Sequence, residues 1–227
     1  MERYLRKLAV MSTLLAVVGL AQAQGDEDLC AEFKDGVVDE TLLSVMLSAA
    51  KGGHLYRIQP NSSRVGFCVE SALKRIEGSF QDFKGGITLD PGANSNGQTM
   101  VLIHADSLET EGKLIRNLLM GENFFDTEQH PEILFVSHSF TWTGSDTAVL
   151  KGDLTLRGIT HPVIFDVTLT ETDQAHPGRI LVNATTRINR DEFGMDKLKA
   201  LADSEVQLCI NAQAEKYRQT YAAGPPG

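Results

Sequence analysis

Residues 152–169 read GDLTLRGITHPVIFDVTL, and this pattern determines the class of fold. Apolar residues alternate with other residues on both sides of Gly158, at Leu154, Leu156, Val163, Phe165, Val167 and Leu169. A period of two is typical of strands, so the stretch predicts two strands joined by a short turn. One face of this hairpin is hydrocarbon and the other carries Asp, Thr and Arg, as in a sheet with one solvated side. The rest of the chain must therefore supply strands that cover the apolar face.

Further period-two segments lie on both sides of the hairpin. Their apolar rows are Val65, Phe67 and Val69; Ile76, Gly78 and Phe80; Val101, Ile103 and Ala105; Ile133 and Phe135; Ile180, Val182, Ala184 and Ile188; and Val206, Leu208 and Ile210. Turn signals separate them, most clearly in the segment Asp90–Gly97. About eight or nine short strands at nearly regular spacing predict an all-β fold, either an antiparallel barrel or a sandwich.

Two segments have helical spacing instead. Residues 24–53 form an N-terminal extension with one predicted helix over Asp39–Ala50, followed by the stop signal Gly52-Gly53. We expect this helix to pack on the domain or to plug one end of it, rather than to bind a partner. A second helix is inserted between strands, beginning at Thr110-Glu111 and ending at Gly121. Its pairs Leu114/Leu118 and Ile115/Leu119 are predicted to share one face.

The first 23 residues predict a cleaved signal peptide. Arg3, Arg6 and Lys7 precede an apolar run from Leu8 to Leu20, and small residues then precede a cleavage site after Ala23. The whole chain has a formal net charge of −9, and removal of the leader makes it −11. Nucleic acid and anionic membrane surfaces repel such a protein. We therefore expect an exported, periplasmic protein that binds no nucleic acid.

Three cysteines, Cys30, Cys68 and Cys209, are present. An oxidising compartment favours one disulfide and one remaining thiol, and three pairings are possible. Cys68 lies in the first predicted barrel strand and Cys209 in the last, which are neighbours in a closed barrel. Cys30 is an equally acceptable partner for either, so the sequence leaves the pairing open.

No motif for catalysis or for a bound cofactor stands out. The six histidines have no metal-binding spacing, and the chain lacks a Cys-x-x-Cys-His haem attachment site. A Gly-x-Ser-x-Gly elbow and a phosphate-binding glycine loop are also missing from the sequence. We predict no catalytic residue, no metal site and no cofactor.

The order and spacing of several short motifs resemble those of the YceI-like family. They are Tyr56, Ser62–Val69, Gly78–Phe80, Ser107-Leu108 with Thr110, Phe124–Asp126, Pro131 with Phe135 and Ser137, Gly152–Leu156 with Gly158–Thr160, Pro162-Val163, and Arg190 with Phe193-Gly194. This resemblance implies a lipocalin-like antiparallel barrel of about eight strands, usually periplasmic, that encloses an isoprenoid or similar amphiphile. We place this barrel domain at residues 54–214 and a disordered tail at 215–227.

The alternation of apolar residues alone favours a barrel filled by its own side chains. The family resemblance instead favours a barrel with a ligand cavity. The predicted ligand-binding residues are Phe67, Phe80, Ile103, Leu118, Phe124, Phe125, Phe135, Leu154, Leu156, Phe165, Val167, Ile188, Arg116 and Asn117. The inserted helix and Phe124-Phe125 are predicted to form the cavity mouth, where Arg116 and Asn117 are candidates to meet a phosphate or quinone oxygen. The alternative for Arg116, an ordinary solvated residue, is favoured by its chemistry alone. The chain departs from the family at Glu70, often His, and at Arg116-Asn117, often Arg-Asp. Both departures bear on the polar end of the ligand.

The sequence thus predicts a non-enzymatic periplasmic carrier that holds a polyprenyl or quinone-like lipid. One alternative is an interaction or stress-response module with a filled barrel. Another is an enzyme acting on an isoprenoid lipid, which would require polar groups converging inside the cavity. Transient contact with a membrane or its proteins, and a homodimer, are further expectations for partners.

Overall fold

A computed structural model describes residues 40–71, 74–89, 97–171 and 178–218. The predicted signal peptide, Cys30, most of the Asp90–Gly97 turn and the end of the predicted tail lie outside these residues. The helices are α1 (Glu40–Gly52) and α2 (Lys113–Met120). The strands are β1 (Leu55–Ile58), β2 (Arg64–Val69), β3 (Ile76–Phe80), β4 (Phe83–Thr88), β5 (Gln98–His104), β6 (Leu108–Thr110), β7 (Glu132–Trp142), β8 (Thr147–Leu156), β9 (Ile159–Glu171), β10 (Arg179–Asn189) and β11 (Glu205–Lys216).

All described strands belong to one antiparallel sheet that closes on itself. Their order is β1-β4-β5-β7-β8-β9-β10-β11, and β1 also pairs with β11. These eight strands form the ring, while β2, β3 and β6 continue the sheet from β11 at one end. Closure pairs the strands of the ring on both sides, whereas β6 keeps one edge that no described strand covers. The predicted eight-stranded antiparallel barrel is confirmed, and the sandwich is not found.

Strands β8 and β9 form the hairpin that is predicted around Gly158. Arg157 and Gly158 are its two turn residues, with φ angles of 53° and 70°. Positive φ at both positions matches the twist of the strands, and glycine adopts it without strain. Pro162 lies opposite Asp153. In the alternating pattern that starts from the Leu156–Ile159 pair, this is a non-hydrogen-bonded pair, so the missing N–H of proline costs no bond to β8.

The eight-stranded ring contains three positions at which the chain runs through two short strands instead of one long strand. The interruptions lie next to one another in the sheet. β1 and β2 are separated by a short 3-10 turn at Pro60–Ser62, and β5 and β6 by another at Ala105–Ser107. Between β3 and β4 only Gln81 and Asp82 intervene. Serine hydroxyls bridge the interruptions: Ser63 Oγ accepts from Gln213 N at 2.9 Å, for example. Beyond the breaks, β6 pairs with β3 but not with β7.

Helix α1 packs on the outer wall of the barrel, which is one of the two positions expected for it. Met46 contacts Leu55 of β1 and Met100 of β5, and all three side chains are at most 2% exposed. A Cβ atom added at Gly86 of β4 would lie 2.9 Å from Met46 Cε. Met100 points away from the barrel interior, because its neighbour Val101 lines the interior. The helix therefore covers strands β1, β4 and β5 and does not plug the barrel.

The hydroxyl group of Ser137 on β7 is buried and forms a hydrogen bond with the backbone of β5. Its removal tests the pairing of these two strands. Ser137 Oγ accepts a hydrogen bond from Thr99 N at 2.6 Å, and the serine is 2% exposed. We expect Ser137→Ala to lower the free energy of unfolding by about 1–3 kcal/mol, because it leaves the buried N–H of Thr99 unpaired. Urea denaturation measures this change. The control is Ser139→Ala on the same strand, which we expect to cost less than about 0.5 kcal/mol. Equal losses in the two variants would contradict the assigned bond.

Candidate functional site

A narrow apolar cavity of about 160 Å³ runs along the inside of the barrel. Its wall includes Phe140, Leu150 and Leu169 at one end and Leu119, Phe124 and Met195 at the other. Inward positions of β8, β9 and β10 supply the middle, because every second residue of a strand faces the same side. The polar side chains among the described lining residues are Thr99 and Arg190. The interior therefore offers an apolar sleeve with one cationic end.

Aromatic rings occupy the part of the sleeve nearest α2. The ring of Phe125 lies 5.5 Å from both Phe67 and Phe80, centroid to centroid, and Phe67 and Phe80 are 6.1 Å apart. Phe67 lies over Gly78, where an added Cβ would come within 2.5 Å of the ring atom Cζ. Gly78 thus leaves the space that the Phe67 ring occupies, because any side chain at this position would overlap the ring. A second pair, Phe135 and Phe165, is 5.3 Å apart farther along the barrel.

Most of the predicted ligand-binding residues line this cavity. They are Phe67, Phe80, Ile103, Phe124, Phe125, Phe135, Leu154, Leu156, Phe165, Val167 and Ile188. The structure brings them together because their strands alternate regularly and close into a ring. Their contact with a ligand stays a prediction. The lining residues that the sequence analysis missed as site residues include Ile58, Ile87, Val101, Leu119, Phe140, Leu150, Arg190, Met195 and Ala202.

Arg116, Asn117 and Leu118 do not line the cavity, which corrects their placement at its mouth. Arg116 Nε donates to Leu108 O at 2.6 Å and its Nη2 donates to Asp106 O at 3.0 Å. These carbonyls lie at the edge of β6 that no strand covers. The guanidinium therefore fastens α2 to the open edge of the sheet. Asn117 is exposed, as is Leu118 at 41%.

Only one of the two apolar pairs on α2 faces the barrel. Leu119 is buried and Ile115 is partly buried against the core, whereas Leu114 is 86% exposed. The expectation that both pairs share the covered face is wrong. The two pairs have the same i,i+4 spacing, so the periodicity cannot tell which of them is covered.

The loop that follows α2 is tied to the turn between β8 and β9. Arg157 Nη1 donates to the carbonyls of Phe124, Glu122 and Gly194 at 2.8, 3.0 and 3.2 Å. Its Nη2 lies 3.9 Å from the carboxylate of Asp126. These bonds set the backbone of the Phe124-Phe125 segment, which is how two consecutive aromatic residues of a loop come to line the cavity.

Arg190, which is not among the predicted ligand-binding residues, is a charged residue of the cavity wall. It lies in a 3-10 turn after β10, is 2% exposed and lines the cavity. Its carbon Cζ lies 5.5 Å from the centre of the Phe124 ring. The neighbouring Asp191 faces outward, where the Lys199 ammonium at 2.7 Å lowers the pKa of its carboxyl group. The Arg-x-x-Phe-Gly spacing signals the turn, but nothing in it signals that the arginine is buried.

The two described cysteines meet on the outer face of the β2–β11 pair. Cys68 lies opposite Gln207 and Cys209 opposite Gly66, so the cysteines are diagonal neighbours. Both are free thiols, and Arg75 Nη2 lies 2.7 Å from Cys68 Sγ. Burial, followed by the nearby Cys68, raises the pKa of the Cys209 thiol. Cys30 lies outside the described residues, and the predicted disulfide stays a prediction.

Neither a metal centre nor a membrane-spanning helix is found within the described residues. No group of three His, Cys, Asp or Glu residues is arranged there to hold a metal ion. In the same part of the chain, no helix has both the length and the apolar character needed to cross a bilayer. Glu70, one of the two departures from the family pattern, is exposed and pairs with Arg75 at 3.5 Å, away from the cavity.

The chain matches a known protein family over the whole barrel. A family model described as YceI-like domain covers residues 56–214. A UPF0312 protein of Pseudomonas putida (strain W619) is 34% identical over 145 residues, which are 63% of this chain and 75% of that protein. The family match thus spans β1 to nearly the end of β11.

Two solved structures have the same fold at low sequence identity. BcnA of Burkholderia cenocepacia aligns with a TM-score of 0.63 and 22% identity, over 69% of this chain and 98% of that one. A polyisoprenoid binding domain from Saccharophagus degradans aligns with a TM-score of 0.56 and 13% identity, over 71% of this chain and 98% of that one. These alignments establish the likeness of the barrels.

The position of Arg116 leads to a prediction about α2. We expect Arg116→Met to increase the rate of amide hydrogen exchange across residues 106–120, because α2 loses its bonds to the β6 edge. The cost in global stability is about 1 kcal/mol, since the side chain is partly exposed. Hydrogen–deuterium exchange with mass spectrometry measures the local change. Asn117→Ala, on the exposed side of the helix, is the matched control and should leave exchange unchanged. Unaltered exchange in Arg116→Met would show that the guanidinium does not hold the helix.

Proposed function

The chain belongs to the YceI-like family, and from this membership and its apolar sleeve we propose that it is a periplasmic carrier of an isoprenoid lipid. The lipid is of the polyprenyl or quinone type, with its tail inside the barrel. The observation that carries the proposal is the unfilled, apolar cavity on the barrel axis. Protein interiors are close-packed and have few voids larger than a water molecule, so a continuous space of this kind requires an explanation.

The chemistry of the wall matches a hydrocarbon tail. Burial of apolar surface stabilises a complex by roughly 25 cal/mol per Å². A tail with few polar atoms leaves no hydrogen-bonding group unpaired in this interior. Affinity then depends mainly on the length of the tail, while discrimination between head groups needs polar contacts at the end of the sleeve.

The volume of the cavity sets a condition on binding. An apolar cavity of about 150 Å³ accommodates a molecule such as benzene, and ligand pockets commonly measure about 300–1,000 Å³. At about 160 Å³, the sleeve holds a long chain only after its side chains move. The cluster of Phe67, Phe80 and Phe125 is the part that must rearrange, because its rings close the barrel next to α2.

The small volume is also the observation that favours the main alternative, a filled barrel that acts as an interaction module. In that case the rings do not move and the cavity is a packing defect. An enzyme acting on the lipid is less well supported, because Thr99 and Arg190 are the polar side chains along the described cavity wall. The polyisoprenoid-binding description of the Saccharophagus degradans domain supports the carrier, by analogy of fold.

Delivery of the lipid requires contact with a membrane or a membrane protein, and we include transient contact of this kind in the proposal. Leu114, Leu118 and Leu201 are 86%, 41% and 51% exposed at the end of the barrel where α2 lies. Exposed apolar side chains of this size support contact with an apolar surface. The periplasmic location depends on the predicted leader, and a homodimer stays a prediction.

Native mass spectrometry of protein purified from its own periplasm tests the proposal. Organic extraction then identifies any bound molecule. We expect a stoichiometric adduct whose mass corresponds to a prenyl chain with a head group. A ligand-free mass that persists after incubation with quinones and polyprenyl phosphates would reject the carrier and favour the filled barrel. Recovery only from the cytoplasm would reject the periplasmic location.

A variant that fills the sleeve separates binding from folding. Ala184 is buried and lines the cavity from β10, whereas its neighbour Thr185 is exposed on the outer face. We expect Ala184→Phe to reduce the affinity for a prenyl chain at least about tenfold, because the new ring occupies the ligand's space. Thr185→Phe is the matched control and should bind normally. Circular dichroism confirms that each variant is folded, and titration with a fluorescent prenyl lipid measures the affinity. Normal binding by a folded Ala184→Phe would place the lipid elsewhere.

A further inference from the structure

One charged side chain lines the cavity in the part of the barrel that the structure describes. Arg190 is the charged side chain among the described residues that line the cavity, and it is 2% exposed. The guanidinium group of an arginine carries a positive charge. Phe124 lies against it, so the charge is located at the α2 end of the sleeve. A cationic side chain thus lines a space whose other described walls, apart from Thr99, are apolar.

The hydrogen bonds of Arg190 orient its guanidinium without neutralising it. Nε donates to Asp203 O at 2.9 Å, Nη1 to the carbonyls of Lys197 and Met195, and Nη2 to Ala202 O at 3.0 Å. All four acceptors are backbone oxygens of the loop before β11. An arginine has five N–H groups, so one Nη2 hydrogen has no partner among the described residues.

Within the part of the chain that the structure describes, Asp191 offsets this charge only in part: Lys199 and Ser204 first, and then Arg190, lower the pKa of the Asp191 carboxyl group. None of the salt bridges there, at up to 4.0 Å, includes Arg190. The adjacent carboxylate of Asp191 is instead bound to Lys199 at 2.7 Å and to Ser204 at 3.0 Å. A buried charge without a counter-charge is costly, and in a medium of low dielectric constant it attracts an anion strongly.

We propose that Arg190 binds the anionic head group of the chain held in the sleeve, either a carboxylate or a phosphate. The inference rests on the proposed carrier function and specifies its ligand class. The head lies beside Arg190 and Phe124, and the tail extends towards Phe140 at the other end of the barrel. An anion accepts the remaining Nη2 hydrogen and supplies a counter-charge in direct contact with the guanidinium, which Asp191 does not. A neutral quinone or alcohol supplies no charge and binds less tightly.

The test uses the unaltered protein, because Arg190→Met would remove four hydrogen bonds and endanger the fold. Four ligands with the same farnesyl tail are compared by calorimetry: farnesoic acid, farnesyl phosphate, farnesol and methyl farnesoate. We expect the two anions to bind about tenfold to a hundredfold more tightly than the neutral pair. The preference should persist from about 0.05 M to about 0.5 M NaCl, since a buried pair is weakly screened. A preference for farnesyl phosphate alone would identify phosphate as the natural head group.

Farnesoic acid labelled with ¹³C at its carboxyl carbon gives an independent measurement. The guanidinium favours the ionised carboxyl, so the pKa of the bound acid should fall below that of the free acid in detergent micelles. NMR titration of the labelled carbon measures this pKa. Equal affinity of all four ligands, or a bound carboxyl with a raised pKa, would overturn the role of Arg190 while leaving the carrier intact. Failure of all four ligands to bind would instead reject the carrier function.

Discussion

The rest of the structure depends on the two-sided hydrogen bonding of strand β11. On one side it pairs with β10 from Glu205 to Glu215, and on the other with β2 and then with β1. This pairing closes the sheet into a barrel, so that an inward-facing residue on any of its strands is enclosed on all sides. The apolar character of the interior follows from closure, because an unpaired polar group placed there would lose its contact with water.

The sequence was sufficient for those parts of the fold in which each residue's position follows from its neighbours. Leu154, Leu156, Phe165 and Val167 face inward as predicted, because a strand alternates strictly and a shift by one residue would expose the whole row. The turn at Gly158 could also be read locally, since its backbone conformation favours glycine. These features require no knowledge of distant parts of the chain.

The errors concern residues whose surroundings are formed by distant segments. Arg190 was not predicted to line the cavity, yet the loop before β11 surrounds its guanidinium with carbonyl oxygens. Arg116 looked like a candidate for a ligand contact, but the break between β5 and β6 creates carbonyls that it must cover. In both cases the position of the guanidinium is determined by unpaired backbone oxygens, and sequence periodicity contains no information on where these occur.

The two sides of the barrel wall are built differently, and we expect them to differ in stiffness. Strands β7 to β11 are continuous, with β10 and β11 paired over eleven residues each, whereas the three walls formed by β1 to β6 are interrupted at one level. A strand with an unbroken row of backbone hydrogen bonds resists bending. A strand with an interruption bends at the interruption. Any change in the cross-section of the barrel is therefore expected on the flank formed by β1 to β6, while the flank formed by β7 to β11 keeps its shape. The barrel thus has a stiff flank, formed by β7 to β11, and a more deformable flank, formed by β1 to β6.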